Sequence, residues 1–119
     1  MISNLNRSTF MDHLGADAKQ ANGTAPVTFS IAVSPHWTDN AGDRQTRTDW
    51  QNIVVFGNLR KYAARLKKGD RVYVEAEARN NNYERKIGTE TVKFYETEFL
   101  AAAIERVAVR AEADTDTEE

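Results

Sequence analysis

Between its two prolines, Pro26 and Pro35, the chain carries an apolar residue at every second position. These residues are Val27, Phe29, Ile31 and Val33. A repeat of two places successive side chains on opposite faces of a strand, whereas an amphipathic helix needs a repeat of 3.6. The segment therefore predicts a β-strand with one face in a core, and Pro35 ends it.

Similar segments predict further strands before and after this one. They span 5–14, 48–56, 71–79 and 89–95, and the later ones are rich in β-branched and aromatic residues. Turn-forming residues at 39–43 predict one hairpin loop, and residues 80–82 with Gly88 bracket a second, longer hairpin.

A single helix is expected between the strands at 48–56 and 71–79. Its apolar residues, at helical spacing, are Leu59, Tyr62, Ala63 and Leu66. Asn58 can cap its start, and Gly69 ends it. About five strands with one helix after the third have the connectivity of the OB-fold. The predicted fold is therefore all-β: a five-stranded Greek-key barrel with one helix between strands 3 and 4.

The segment 98–109 permits two interpretations. Its residue propensities favour a helix, with Leu100, Ile104 and Val107 at helical spacing. An edge strand is the alternative.

Composition indicates one domain, predicted to span 1–110, followed by an acidic tail at 111–119 that is expected to be disordered. The 119 residues have a net charge of −2, but the tail holds five of the 18 acids and no base. The remainder has 16 bases against 13 acids, or +3, which suits a polyanionic partner as well as an ordinary solvated surface.

Several classes of function are unlikely on residue content. There is no cysteine, which excludes disulfides, zinc–thiolate sites and thiol catalysis. His13 and His36 have no partner at metal-ligand spacing, and Glu75 and Glu77 are expected to be solvated on an outer strand face. No catalytic residue, metal or cofactor is predicted. No apolar run could span a membrane and the start does not resemble a signal peptide, so a cytoplasmic, nucleoid-associated protein with no membrane partner is expected.

Aromatic residues give the positive indication. Trp50 and Phe56 share one face of the strand at 48–56, opposite Ile53 and Val55. Trp37 precedes this strand, and Tyr83 lies in the long hairpin near basic residues. Aromatic rings among bases suit single-stranded nucleic acid, because bases stack on rings while Lys and Arg contact phosphates. The alternative is that two or three of the rings belong to the core or a subunit interface.

Residues 48–59, TDWQNIVVFGNL, resemble the central motif of bacterial single-stranded DNA-binding proteins. Residues 66–75, LKKGDRVYVE, resemble the helix end and strand that follow it. The resemblance covers about 4–107. It implies an OB-fold that binds single-stranded DNA without strong sequence preference, serves replication, recombination or repair, and forms a homo-oligomer, with a tetramer favoured and a dimer possible.

The resemblance also implies which residues bind DNA. Those matching its stacking aromatics are Trp37, Trp50, Phe56 and Tyr83, and those matching its phosphate contacts are Arg7, Arg44, Lys68 and Arg79. It favours a strand at 98–109 up to about Ala101. Asn58 and residues 80–82 replace bases that are common in the family, which implies weaker or less salt-sensitive binding.

The C-terminus differs from the family pattern. It lacks the long linker and the apolar tip that recruits replication and repair proteins, so recruitment of such partners is in doubt. The short tail is more typical of a phage- or plasmid-borne member. The main alternative function is an OB-fold oligomeric adaptor that binds protein partners and little DNA.

Overall fold

The computed structural model describes residues 4–108. In chain order the elements are β1 (Ser8–Leu14), β2 (Lys19–Gln20), β3 (Val27–Val33), β4 (His36–Thr38), β5 (Arg44–Thr46), β6 (Asp49–Val55), α1 (Leu59–Ala63), β7 (Arg71–Asn80), β8 (Tyr83–Ile87), β9 (Glu90–Phe94) and β10 (Thr97–Ala108). The predicted acidic tail and Val109 lie outside the described residues.

Five of the strands close into a barrel in the order β1-β7-β10-β6-β3, and β3 pairs again with β1. All of these pairs are antiparallel except β6 with β10, which run parallel. Closure gives each of these five strands a neighbour on both sides, which is how a barrel limits the exposure of backbone groups at sheet edges. The predicted five-stranded OB-fold barrel is confirmed.

The barrel core is formed by the alternate residues that the sequence pattern selects. Val27, Ile31 and Ile53 are fully buried, and so are Val72 and Val74 on β7. Leu66 and Ala63 also belong to this cluster. Burying an aliphatic side chain of this size stabilises a fold by roughly 1.5–3 kcal/mol, so these few strands hold most of the apolar driving force.

The helix α1 is shorter than predicted. It has five residues and ends at Ala63, while the chain continues to Gly69 in turns that still bury Leu66. Asn58 occupies the N-cap position, as predicted, but its side chain makes no capping hydrogen bond. The chain must turn here because the Gly69 N–H donates to the Leu14 carbonyl and the Leu14 N–H donates to the Asp70 carbonyl.

The ambiguous segment is a strand, and it continues past Ala101 to Ala108. It pairs with β7 along its whole length, with register shifts after Ala101 and Arg106, and also with β6 at Phe99 and Leu100. It is therefore not an edge strand. Helix propensity is overridden here because the two neighbouring strands need partners for their backbone groups.

Two hairpins extend from the barrel, β4–β5 and β8–β9. At the turn of the first, the Asp39 carboxylate accepts hydrogen bonds from the backbone N–H groups of Asp43 and Ala41, at 2.9 and 3.0 Å. These bonds, the one from Asp43 above all, lower the pKa of Asp39. The predicted loop is thus fixed by an aspartate that substitutes for a backbone acceptor.

Candidate nucleic-acid interface

All four predicted stacking aromatics are exposed. The exposed fractions are 42% for Trp37, 56% for Trp50, 49% for Phe56 and 37% for Tyr83. On β6, by contrast, Ile53 and Val55 are fully buried, because they point to the opposite face. None of the four rings therefore belongs to the core of this chain, and their faces are available to a ligand or to another copy.

A groove of about 510 Å³ runs beside Trp50 on the outer face of the sheet. Ser30 and Asn52 lie in this groove and are joined by a hydrogen bond of 2.9 Å from the serine hydroxyl to the amide oxygen. Other residues that line it include three acids, Asp17, Glu96 and Glu98. Carboxylates repel phosphate, so the groove suits bases better than the DNA backbone.

Arg79 and Phe56 meet near this groove. The Cζ atom of Arg79 lies 5.8 Å from the centroid of the Phe56 ring, within cation–π range. The same guanidinium donates to the Glu98 carboxylate through Nε, at 2.9 Å, and also through Nη2. Arg79 thus contacts a second predicted site residue, Phe56, and pairs with a glutamate that the sequence analysis did not single out.

Tyr83 is part of a stack on the β8–β9 hairpin. Its ring lies parallel to that of Phe94, the residue opposite it in register, with centroids 5.2 Å apart and planes at 14°. Arg85 lies within 6 Å of both centroids. The Tyr83 hydroxyl donates to Glu96 at 3.3 Å, which connects the hairpin to the groove. Phe94 supports the ring of Tyr83 by stacking against it. The sequence analysis missed this role, although the register of the hairpin places the two residues opposite each other.

Trp37 lies on β4, with the Cζ atom of Arg47 5.7 Å from its ring centroid. Arg47 in turn pairs with Asp49, whose carboxylate is 3.0 Å from Nε. Asp49 immediately precedes Trp50 on β6. We call the four exposed rings, together with the groove beside Trp50, the aromatic surface.

The predicted phosphate-binding residues are more dispersed. The Lys68 backbone N–H donates to Asp17 at 2.8 Å, which places Lys68 beside the groove, and Arg44 is exposed on β5. Arg7 lies at a separate hollow with Glu75 and Glu77. No contact between the described residues connects Arg7 to the aromatic surface.

The phenol of Tyr73 shows where the charge of Arg7 acts. The hydrogen bond that Tyr73 donates to Glu75, at 2.6 Å, raises the pKa of the phenol, and the positive charge of Arg7 opposes this shift. Arg7 therefore acts electrostatically on β7. The role of Arg7 in binding phosphate stays a prediction.

Residues 4–108 contain neither of two other kinds of site. No group of three or more His, Asp or Glu side chains there could hold a metal ion. Within the same range, no helix is long and apolar enough to cross a membrane. The aromatic surface and its groove are therefore the principal candidate site of the described chain.

Solved structures resemble this barrel closely. The Plasmodium falciparum SSB in complex with ssDNA superposes with a TM-score of 0.68, covering 90% of this chain and 98% of that one, at 24% identity. A deletion mutant of the single-stranded DNA binding protein from Thermus aquaticus gives a TM-score of 0.70 at 18% identity, covering 90% and 52%. At these identities the likeness establishes the OB-fold alone.

Sequence comparison establishes the family. Single-stranded DNA-binding protein 1 of Xylella fastidiosa is 35% identical over 105 residues, which span 84% of this chain and 75% of the relative. The single-stranded DNA-binding protein of Neisseria meningitidis serogroup A is 36% identical over 94 residues, spanning 76% of this chain and 54% of the relative. The chain thus matches three quarters of the first relative's length and about half of the second's. Residues 5–107 match the single-strand binding protein family, and the chain belongs to that family.

Proposed function

We propose that this chain binds single-stranded DNA without strong sequence preference and has no catalytic activity. The observation that carries the proposal is the aromatic surface: four exposed rings on an OB-fold barrel, three of them with an arginine within cation–π range. Exposed rings of this size are costly to leave in water, and stacking with the bases of an unpaired strand would cover them.

The proposed mechanism divides the work between two kinds of contact. Bases stack on Trp37, Trp50, Phe56 and Tyr83, each stack contributing roughly 1–3 kcal/mol. Lys68, Arg44, Arg79 and Arg7 neutralise phosphates, which releases counterions and makes the affinity fall with salt. Stacking does not depend on base identity, because every base has a π-face.

The biological role we propose is to protect single strands during replication, recombination or repair. The chain acts as a homo-oligomer, with a tetramer favoured and a dimer as the alternative. Relatives named single-stranded DNA-binding proteins support the role. Exposed apolar side chains outside the aromatic surface, Leu5 and Met11 at the start of the barrel among them, support self-association.

The test is a titration of intrinsic fluorescence with oligo(dT) at low and at moderately high salt. Both tryptophans of the chain, Trp37 and Trp50, belong to the aromatic surface, so stacking should quench emission strongly and saturably. An abasic oligonucleotide of the same length is the matched control, since it keeps the phosphates and removes the bases. We expect strong quenching by oligo(dT), weakened by salt, and little quenching by the abasic strand.

Absence of quenching by oligo(dT) at low salt would reject the proposed function. The alternative function, an oligomeric adaptor that binds protein partners, would then be favoured. Sedimentation analysis of the DNA-free protein would test whether another copy of the chain covers the aromatic surface. Equal quenching by the two oligonucleotides would instead leave phosphate binding and remove stacking from the mechanism.

A further inference from the structure

Arg79 is occupied by a carboxylate of its own chain. Its guanidinium donates to one oxygen of Glu98 through both Nε, at 2.9 Å, and Nη2. Arginine binds phosphate through the same N–H donors. Glu98 therefore engages the groups through which Arg79 would bind a phosphate.

The pairing is built into the barrel. Glu98 of β10 lies directly opposite Arg79 of β7 in the antiparallel register. The Glu98 side chain is only 15% exposed, while that of Arg79 is 46% exposed. A partly buried carboxylate left without its partner is more costly than an exposed one, so Arg79 is held more firmly than a surface arginine would be.

The same pairing also bears on base stacking. Held by Glu98, the Arg79 guanidinium lies over the Phe56 ring, 5.8 Å from its centroid. Glu98 also lines the groove beside Trp50. One glutamate thus contacts the phosphate-binding group, and through it affects access to one of the four stacking rings.

We propose that Glu98 is an internal competitor of the DNA phosphate: it withholds Arg79 from the strand and so lowers both the affinity and its dependence on salt. This inference rests on the proposed function. A strand that binds must either displace Glu98 from Arg79, leaving the carboxylate unpaired, or bind without Arg79. In both cases Arg79 contributes less than one full phosphate contact.

The experiment measures the affinity of the full chain for oligo(dT) over a series of salt concentrations. The variants are Glu98→Gln, Arg79→Gln and the two combined. Glutamine keeps the shape of Glu98 and removes its charge. Glu105→Gln is the matched control, because it makes the same charge change at an exposed residue of the same strand. Circular dichroism and thermal unfolding show whether each variant keeps the fold.

We expect Glu98→Gln to bind about three- to fivefold more tightly at low salt, the range that an ion pair with a half-exposed arginine can supply. The plot of log affinity against log salt should steepen by roughly 0.7, the value for one added phosphate contact on a single strand. Glu105→Gln should change neither quantity. In the double variant, Arg79→Gln should remove the increase in affinity and in slope that Glu98→Gln causes. Arg79→Gln alone should lower the slope by clearly less than about 0.7.

Three outcomes would overturn the inference. A folded Glu98→Gln with an unchanged slope or weaker binding would show that Glu98 positions Arg79 instead of competing for it. If Glu98→Gln does not fold, the test depends on Arg79→Gln. A decrease of about 0.7 in the slope of log affinity against log salt would then show that Arg79 makes a full phosphate contact, which contradicts the inference. If neither the wild type nor any variant binds oligo(dT) at low salt, the proposed function fails, and the inference fails with it.

Discussion

The indole of Trp50 lies directly against the backbone of Gly15. A Cβ atom placed on Gly15 would be 2.2 Å from Cζ3 of Trp50 and 2.6 Å from Cη2. No side chain fits at that distance, so the absence of one at residue 15 lets the ring occupy this place beside the groove. Gly15 is in turn held in place by the hydrogen bond that its N–H donates to the Ser30 carbonyl.

We predict that Gly15→Ala displaces the Trp50 ring while keeping the fold, because the ring is half exposed and can move outward. Tryptophan emission of the free protein should shift, and affinity for oligo(dT) should fall by up to roughly 1–3 kcal/mol, the contribution of one stack. Gly23→Ala is the matched control, since its Cβ would meet nothing within 4 Å. Equal effects of the two substitutions would show that the contact with Trp50 is not the cause.

Substitution of Trp50 should affect DNA affinity without affecting the stability of the fold. Trp50→Ala should weaken binding by roughly 1–3 kcal/mol with little change in the free energy of unfolding. Ile53→Ala, on the buried face of the same strand, should lower the free energy of unfolding by about 2–5 kcal/mol through the cavity it leaves. Fluorescence anisotropy of labelled oligo(dT) and urea unfolding measure the two effects. A large loss of stability in Trp50→Ala would mark the indole as structural.

The sequence was most informative where a local repeat decides the structure. Alternation placed Ile53 and Trp50 on opposite faces, and the structure agrees because a strand has no other way to orient successive side chains. The helix was overestimated because the spacing of Leu66 does not reveal that Gly69 bonds to Leu14, 55 residues earlier in the chain.

What the sequence analysis missed depends on contacts between distant segments. The approach of Gly15 to Trp50 and the pairing of Arg79 with Glu98 each join residues that only the pairing of the strands brings together. Helix propensity at 98–109 was a local preference, and two neighbouring strands override it. The residue types at the interface were therefore predictable, whereas the contacts that orient or occupy them were not.

Substitution of Lys68 tests the phosphate contacts independently of base stacking. Lys68→Ala should lower the slope of log affinity against log salt by roughly 0.7 without abolishing binding. Its backbone N–H, which donates to Asp17, is retained in the variant, so the local turn should persist. Lys61→Ala, at an exposed lysine of α1, is the control and should leave the slope unchanged. The same slope for Lys68→Ala and the wild type would remove Lys68 from the contacts.

The carboxyl group of Asp12 should make the free energy of unfolding depend on pH. Burial alone would raise the pKa of its carboxyl group. Hydrogen bonds from the His13 ring, at 2.8 Å, and from the backbone N–H groups of Ser34 and His13, at 3.2 and 2.9 Å, outweigh this effect and lower the pKa. The folded chain therefore binds this proton less tightly than the unfolded chain does.

The contribution of Asp12 to stability should thus be complete above about pH 4, the unfolded pKa of an aspartate, and be lost as the pH falls through the lower folded value. The Asp12→Asn variant has no carboxyl group at this residue to titrate. The difference in free energy of unfolding between wild type and Asp12→Asn, from urea unfolding at a series of pH values, should be constant near neutrality and shrink below pH 4. A difference that stays constant down to the acid limit would mean that the charge of Asp12 does not contribute, and that shape alone fixes the contact between β1 and Ser34.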